Sequence, residues 1–382
     1  MPTYDDNELR DWLALSFVAG VGRRTAGVMI DRFGSPTAIL DASPSRLLSN
    51  GLKAECVDSV KNPEHRERAE RELVKLREIG AELIVLSDPR YPALLREIYD
   101  PPILLYVRGN LTAALSRPAV AIVGSRQCST YGKGASEMFA RELAANGVTI
   151  VSGLARGIDG AAHEGALESG GLTIGVMGTG TDVIYPKEHN RLADRIMTQG
   201  ALITEFPLGT PPLSQNFPFR NRVISGLCLG VIVVEGAERS GSLITARMAY
   251  EQGREVYAVP GNITSSKSFG PNYLIKDGAK LIQTWQDVIE EFPTEHKARI
   301  LAVNRKDAGA DGSEDQLVLD EVVLSDTERS VLSLIKPDEP IQIDPLIYAS
   351  KLSLPDVMSA LLKLEMMGRI RQLPGKCFVR KI

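Results

Sequence analysis

The chain reads as an α/β protein, with an extended Rossmann-like central domain built on a mostly parallel sheet, a small helical domain before it and a winged helix after it. Three observations lead there. Short apolar, β-branched runs alternate with helical stretches for about two hundred residues from Glu82. Helical periodicity alone fills the residues before Gly80, and a capping box followed by a hairpin pattern fills the last sixty or so. A length of 382 residues suggests two or three domains. The divisions fall at 1–80 for the helical domain, 81–294 for the central domain, 295–320 for a linker and 321–382 for the winged helix.

In the first segment Leu9, Trp12, Leu13 and Phe17 form a helical stripe that stops at Ala19-Gly20-Val21-Gly22, and a second helix follows from Arg24 to Phe33. Gly-Val-Gly between short helices is the pattern of a SAM-like or helix-hairpin-helix domain, whose turn offers backbone amides to a phosphate. A plain helix-to-helix turn with no ligand fits equally well. A charged helix from Pro63 to Ile79 closes the segment and presents a solvated face.

Strands are expected at Leu83–Leu86, Ile103–Val107, Ala119–Val123, Thr149–Val151, Thr173–Val176, Ala201–Thr204, Val231–Val234, Glu255–Val259 and Lys280–Gln283. Helices fit between most of them, at Gly134–Asn146, Gly160–Glu168, Glu188–Thr198 and Leu243–Gln252. Apolar strands alternating with helices imply a parallel sheet covered on both faces. After Pro293 the run from Lys306 to Ser313 has linker composition. Ser325-Asp326-Thr327-Glu328 then opens a helix to Ile335, another spans Pro355–Met367, and a hairpin turns at Pro374-Gly375-Lys376. Nine basic against seven acidic residues from Ser325 onward favour protein contact or weak DNA contact by this wing over strong groove reading.

Composition narrows the function classes. Hydrophobic residues make up 43% and charged residues 24%, with a formal net charge of -4, so any nucleic-acid contact depends on a local basic patch. The four cysteines, Cys56, Cys128, Cys228 and Cys377, and the four histidines are scattered without ligand spacing, so no metal and no disulfide framework is expected. Met1 to Arg10 is acidic and polar, and no apolar run approaches the roughly 18 residues of a membrane span, so a cytoplasmic protein without membrane contact is expected.

Ligands of parallel sheets gather where strand carboxyl ends meet helix amino termini. That rule selects Gly124-Ser125-Arg126, the Ser152-Gly153 loop that runs to Gly157, and Arg239-Ser240-Gly241-Ser242. Glycine lets a backbone approach a phosphate, serine donates to it and arginine supplies a forked cation. Asn216-Phe217-Pro218-Phe219-Arg220-Asn221-Arg222 adds aromatics for unstacked bases and arginines for phosphates, which suits single strands; a core plug fits Phe219 equally well, whereas Phe217 is read as the base contact. Nucleotide-cofactor motifs fail: Gln127 stands where Walker A needs glycine, and Val183 where G-x-G-x-x-G needs its third. No cofactor and no catalytic residue is therefore expected. Asp159 and His163, four apart, read as a helix cap and a loop tie rather than an acid–base pair.

These residues resemble the DNA-processing protein A family, also called Smf. The resemblance is carried by Ala121 to Arg126, Val151 to Asp159, Gly178-Thr179-Gly180, Tyr185-Pro186, Phe217 to Arg222, Ser240 to Ala246 and Val259-Pro260-Gly261, with Tyr91-Pro92, Asp100-Pro101-Pro102 and Leu105-Tyr106 upstream. It implies binding of single-stranded DNA, loading of the RecA recombinase during natural transformation, homodimerisation through the central domain and no enzymatic activity. It carries DNA contact onto Gly124, Ser125, Arg126, Lys187, Phe217, Ser240 and Gly241. Two other readings stand beside it. The fold also resembles nucleotide phosphoribohydrolases, but Thr245 replaces the carboxylate of their G-G-x-G-T-x-x-E loop. A winged-helix transcription regulator with an effector-binding core is the third.

Overall fold

The computed structural model describes residues 4–297, 300, 325–337, 339–366, 369–373 and 377–380. The chain begins with α1 (Asp6–Phe17), α2 (Arg23–Phe33), α3 (Pro36–Asp41), α4 (Pro44–Ser49), α5 (Ala54–Val60) and α6 (Glu64–Glu78). Local chemistry sets their ends. Asp5 and Glu8 form a capping box on α1, Gly34 closes α2 at φ 83°, and Ser35 and Ser43 cap two helices that open on proline. Trp12, Leu13 and Leu15 of α1 pack with Met29, Leu47 and Leu73, and in the same cluster with Leu83, Leu104 and Tyr106 of the sheet. The front helices therefore share one apolar core with the strands beside them. Glu72 of α6 also accepts a bond from Leu208 N at 2.7 Å, which holds the loop at Leu208 against the helical region.

The central region runs β1 (Glu82–Val85), α7 (Ala93–Arg96), β2 (Leu104–Gly109), α8 (Leu111–Ala114), β3 (Ala119–Val123), α9 (Thr130–Ala145), β4 (Thr149–Ser152), α10 (Ile158–Glu168) and β5 (Thr173–Val176). It continues through α11 (Asn190–Gln199), β6 (Ala201–Thr204), α12 (Asn216–Gly226), β7 (Gly230–Val233), α13 (Gly241–Glu251), β8 (Glu255–Ala258), α14 (Phe269–Lys276), β9 (Lys280–Leu281) and α15 (Trp285–Ile289). One nine-stranded sheet results, in the order β1-β2-β6-β5-β4-β3-β7-β8-β9. From β6 to β9 all neighbours are parallel, whereas β2 pairs antiparallel with both β1 and β6. All nine expected strands form. The antiparallel edge is the difference: β2 runs against both of its neighbours, although the β1–β2 connection, which contains α7, is long enough for a parallel crossover.

Strand alternation explains the two covered faces. On β3, Val120 and Ile122 join Phe139 and Leu143 of α9, while Ala121 and Val123 join Val223 and Ile224 of α12. On the α9 side the helices come unusually close, because a Cβ at Gly165 of α10 would lie 2.4 Å from the Glu137 carbonyl oxygen.

The last segment contains α16 (Asp326–Leu334), β10 (Ile341–Gln342), α17 (Ile343–Ser350), α18 (Leu354–Met366), β11 (Ile370–Leu373) and β12 (Cys377–Arg380). The strands order β10-β12-β11, and Val331, Leu346, Val357, Leu364 and Phe378 form the core of this winged helix. Ser325 and Glu328 make the expected capping box. Most of the expected linker and the Pro374-Gly375-Lys376 turn lie outside the described residues.

Replacing Gly165 by alanine pits helix propensity, which gains about 1 kcal/mol, against a collision with rigid backbone. The collision wins, because a contact at 2.4 Å forces α9 and α10 apart. Gly165→Ala is expected to cost about 1–3 kcal/mol net in chemical denaturation. Unchanged or raised stability contradicts the close approach.

Candidate nucleic-acid interface

The chain builds the parallel sheet outward from β3 through β4 and β5 to β6, and α12 then returns it to β7 on the other side of β3. Where connections leave neighbouring strands in opposite directions, a crevice opens at the strands' carboxyl ends. A cleft of about 760 Å³ lies there. Its walls include Gly124, Ser125 and Arg126 after β3, Phe217, Arg220 and Asn221 of α12, and Ser240, Gly241 and Ser242 at the start of α13.

The floor is tied by buried polar groups. Glu235, at the end of β7, accepts from Ser129 N at 2.8 Å and Ser129 Oγ at 2.5 Å, fixing the β3–α9 loop to the neighbouring strand end. Gly124 has no room for a side chain, since a Cβ would come 2.6 Å from Ile158 Cγ1. Ser240 Oγ and Ser242 Oγ bond each other at 2.8 Å, and Ser240 makes no side-chain cap to α13. The first amides of α13 therefore remain available to an anion.

Phe217 organises the middle of the cleft. Its ring rests against Gly178, where a Cβ would lie 3.0 Å from Phe217 Cδ1, and 5.9 Å from the ring of half-exposed Tyr185. The exposed Arg126 guanidinium lies 5.0 Å from its centroid and that of Arg220 lies 5.9 Å away. Arg220 is only 4% exposed. Its Nη1 is 3.9 Å from Asp159 Oδ2, and its Nε has no hydrogen-bond partner among the described residues. Asp159 also accepts from Gly153 N at 3.2 Å. Burial pushes the Asp159 carboxyl above its ordinary range and the Arg220 guanidinium down to about 10, so the arginine stays charged at neutral pH.

His163, one turn along α10, faces elsewhere: its Nδ1 is 2.7 Å from Thr173 Oγ1. Burial, reinforced by the charges of His189 and Arg220, pushes its pKa down to about 3. Asp159 and His163 thus bond separate partners: Asp159 makes no cap on α10 and instead holds the loop amides of Gly153 and Ala155, while His163 ties α10 to the start of β5.

A family model described as DNA recombination-mediator protein A matches residues 82–293, more than half of the chain. The chain belongs to the DNA recombination-mediator protein A family. A second family model, the DprA winged helix domain, matches residues 316–376. Escherichia coli Protein Smf is 42% identical over 311 residues, spanning 81% of this chain and 80% of that protein. The structure of DNA processing protein A from Streptococcus pneumoniae aligns with a TM-score of 0.63 at 38% identity, covering 76% of this chain and 99% of that one. The Helicobacter pylori counterpart, described for its single-stranded DNA binding mode, aligns with a TM-score of 0.50 at 30% identity, covering 59% and 96%.

Within this DNA recombination-mediator fold, nine of the residues expected from sequence meet in the cleft: Gly124, Ser125, Arg126, Phe217, Arg220, Asn221, Ser240, Gly241 and Ser242. Four do not line it. Ser152 is buried and donates to the Ile122 carbonyl at 2.6 Å, so it ties strands rather than facing solvent. Gly153 lies beneath, where a Cβ would sit 1.4 Å from Arg220 Nη1, and its contribution is space for that guanidinium. Lys187 is exposed in the 3-10 turn Lys187–His189 and does not line the cleft, although Tyr185 two residues before it does. Arg222 needs the firmest correction: it is 4% exposed and bonds Glu205 at 2.5 Å and the Asp100 carbonyl at 2.6 Å. Two positions along a helix rotate a side chain by about 200°, so Arg220 and Arg222 face opposite sides of α12.

Sequence reasoning missed Tyr185 and Ser214 as cleft residues. An aromatic two positions before a lysine in Tyr185-Pro186-Lys187 was the available signal for the first, and the loop before α12 offered none for the second.

His163 carries a pH signature. Its folded pKa is depressed below 6.5, so the stability it contributes is complete above that pH and is lost as pH falls toward 3, at roughly 1 kcal/mol per pH unit. Thermal unfolding across this window is expected to give a shallower acid slope for His163→Gln than for the unsubstituted protein. Equal slopes would show that His163 charges freely in the fold.

Proposed function

We propose that the cleft binds single-stranded DNA, without catalysis, and that the protein loads the RecA recombinase onto that strand during natural transformation and recombination. One observation carries the DNA reading: the Phe217 ring has the Arg126 guanidinium 5.0 Å and the Arg220 guanidinium 5.9 Å from its centroid, in the cleft at the open end of β3 and β7. An unstacked base finds an aromatic face there, and its flanking phosphates find a forked cation, serine hydroxyls and helix amides. Duplex DNA keeps its base faces stacked and cannot use the ring. The single-stranded DNA binding described for the Helicobacter pylori relative supports this assignment. Against a phosphoribohydrolase, the position that needs a carboxylate holds Thr245, whose hydroxyl donates to the Gly241 carbonyl at 3.2 Å.

Arg126 is exposed and its side chain bonds no core group among the described residues, so Arg126→Ala is expected to leave the melting temperature nearly unchanged while weakening binding of a thymidine oligonucleotide about tenfold. The slope of log affinity on log salt, about 0.7 per phosphate neutralised, is expected to shrink by one such step. Equal affinity and slope for the variant, or tighter binding of duplex than of single strand, sinks the proposal. The RecA step is read separately, as strand-exchange activity of RecA on DNA precoated with a single-strand-binding protein, with and without this protein.

Homodimerisation through the central domain is part of the same proposal. Beyond β8 the sheet ends in the two-residue edge strand β9, and Ile263, Phe269, Tyr273 and Leu281 are exposed there, with the Phe269 and Tyr273 rings stacked 6.2 Å apart. An apolar patch beside an open sheet edge is a self-association surface. Tyr273→Glu is expected to convert a dimer to a monomer in light scattering, with unchanged circular dichroism. A variant that remains dimeric moves the interface elsewhere.

A further inference from the structure

Aromatic rings and guanidinium groups meet a second time, at the seam between the front helices and the sheet. The first turn of α2 supplies Arg23 and Arg24. Arg23 lies over the Phe219 ring, 4.9 Å from its centroid, and Arg24 lies over the Tyr99 ring at 4.5 Å and donates to its hydroxyl. Phe219 is 48% exposed and Tyr99 73%. Beside them opens a cleft of about 300 Å³, with Val21, Ile103, Phe206 and Pro207 among its walls together with Arg23 and Glu205.

The charges at this seam do not balance. Arg23 and Arg222 both pair with the carboxylate of Glu205, and Arg222 also meets Asp100. Arg24 has no carboxylate partner among the described residues and is exposed. Two guanidinium groups therefore share the two carboxylates, and the third, that of Arg24, is left as a cation for an anionic ligand. Holding the front helices in place does not require these groups, because the shared apolar core already does so. Exposed cation–aromatic pairs add little to that.

Position links the seam to the cleft. Phe217 and Phe219 flank Pro218 on the first turn of α12, one ring entering the strand-end cleft and the other meeting Arg23. Two positions apart, the two rings face opposite sides of α12, so a strand leaving the cleft past Phe217 reaches the seam by crossing the start of that helix.

We propose that the seam is a second subsite for the same single strand, in which Phe219 and Tyr99 stack bases and Arg23 and Arg24 take phosphates. This inference rests on the cleft being the primary single-strand site. It assigns a nucleic-acid contact to the front helices through side chains, rather than through the Gly20-Val21-Gly22 turn amides.

Fluorescence anisotropy with thymidine oligonucleotides of increasing length tests it, on the full protein and on an Arg24→Ala, Tyr99→Ala double variant. Both residues are exposed, and matched melting temperatures confirm the fold. Short oligonucleotides that fill only the cleft are expected to bind both proteins alike. Longer ones are expected to gain about tenfold in affinity with the unsubstituted protein, and the variant to lose that gain. Its salt slope with the longer strand is expected to fall by about 0.7. A length gain of equal size in the variant, or none in the unsubstituted protein, overturns the second subsite alone. Failure of even the short oligonucleotides to bind the unsubstituted protein overturns the primary site and this inference with it.

Discussion

The arrangement of the cleft depends on one buried pair, the Arg220 guanidinium and the Asp159 carboxylate. Burying two charges costs more than their attraction returns unless other bonds share the load, and here backbone amides at Gly153 and Ala155 help to hold the carboxylate. The pair persists because the chain leaves room for it: Gly153 has no side chain where the guanidinium lies. What the fold obtains is a fixed cation under an aromatic ring, held by groups that solvent does not reach. A flexible surface arginine would have to lose more freedom for each phosphate it bound. In the proposed binding mode the exposed Arg126 and the buried Arg220 divide the task, one reaching for the nucleic-acid backbone and the other already in place.

The sheet topology supplies the location. The two strand ends that flank the cleft are neighbours in space but far apart in sequence, and the Glu235–Ser129 bonds join them. Small residues recur where backbones must touch: Gly124 against Ile158, Gly178 against Phe217 and Gly165 against Glu137. Glycine serves here to bring elements within contact distance rather than to provide flexibility.

Much of this was legible in the sequence, for a physical reason. A strand buried on both faces must be apolar along its length, so β3 to β8 stood out as β-branched runs, and the strand-end rule then pointed to Gly124, Arg126 and Ser240. Pairing direction was not legible, because a side-chain pattern records burial and not polarity of the chain; hence the antiparallel β2. Helices α3 to α5 escaped notice because six or seven residues are too few to show a period, although Ser35-Pro36 and Ser43-Pro44 marked two of their starts. Reading Arg220 and Arg222 as equivalent ignored helical geometry. Ser152 and Gly153 were expected to touch DNA, yet Ser152 is turned into a bond with the Ile122 carbonyl and Gly153 lies under the Arg220 guanidinium, both contacts distant in sequence.

The continuity of the front core has a consequence for how such a molecule can be taken apart. Trp12 and Leu13 interleave with Leu83, Leu104 and Tyr106, so the boundary visible in sequence periodicity does not coincide with a boundary in packing. A gene fragment starting at the first strand would bare one greasy flank of its outermost hairpin. Lineages that shed the leading helices would have to rewrite those strands in polar residues at the same time. Modularity in this protein is thus a property of its text more than of its architecture.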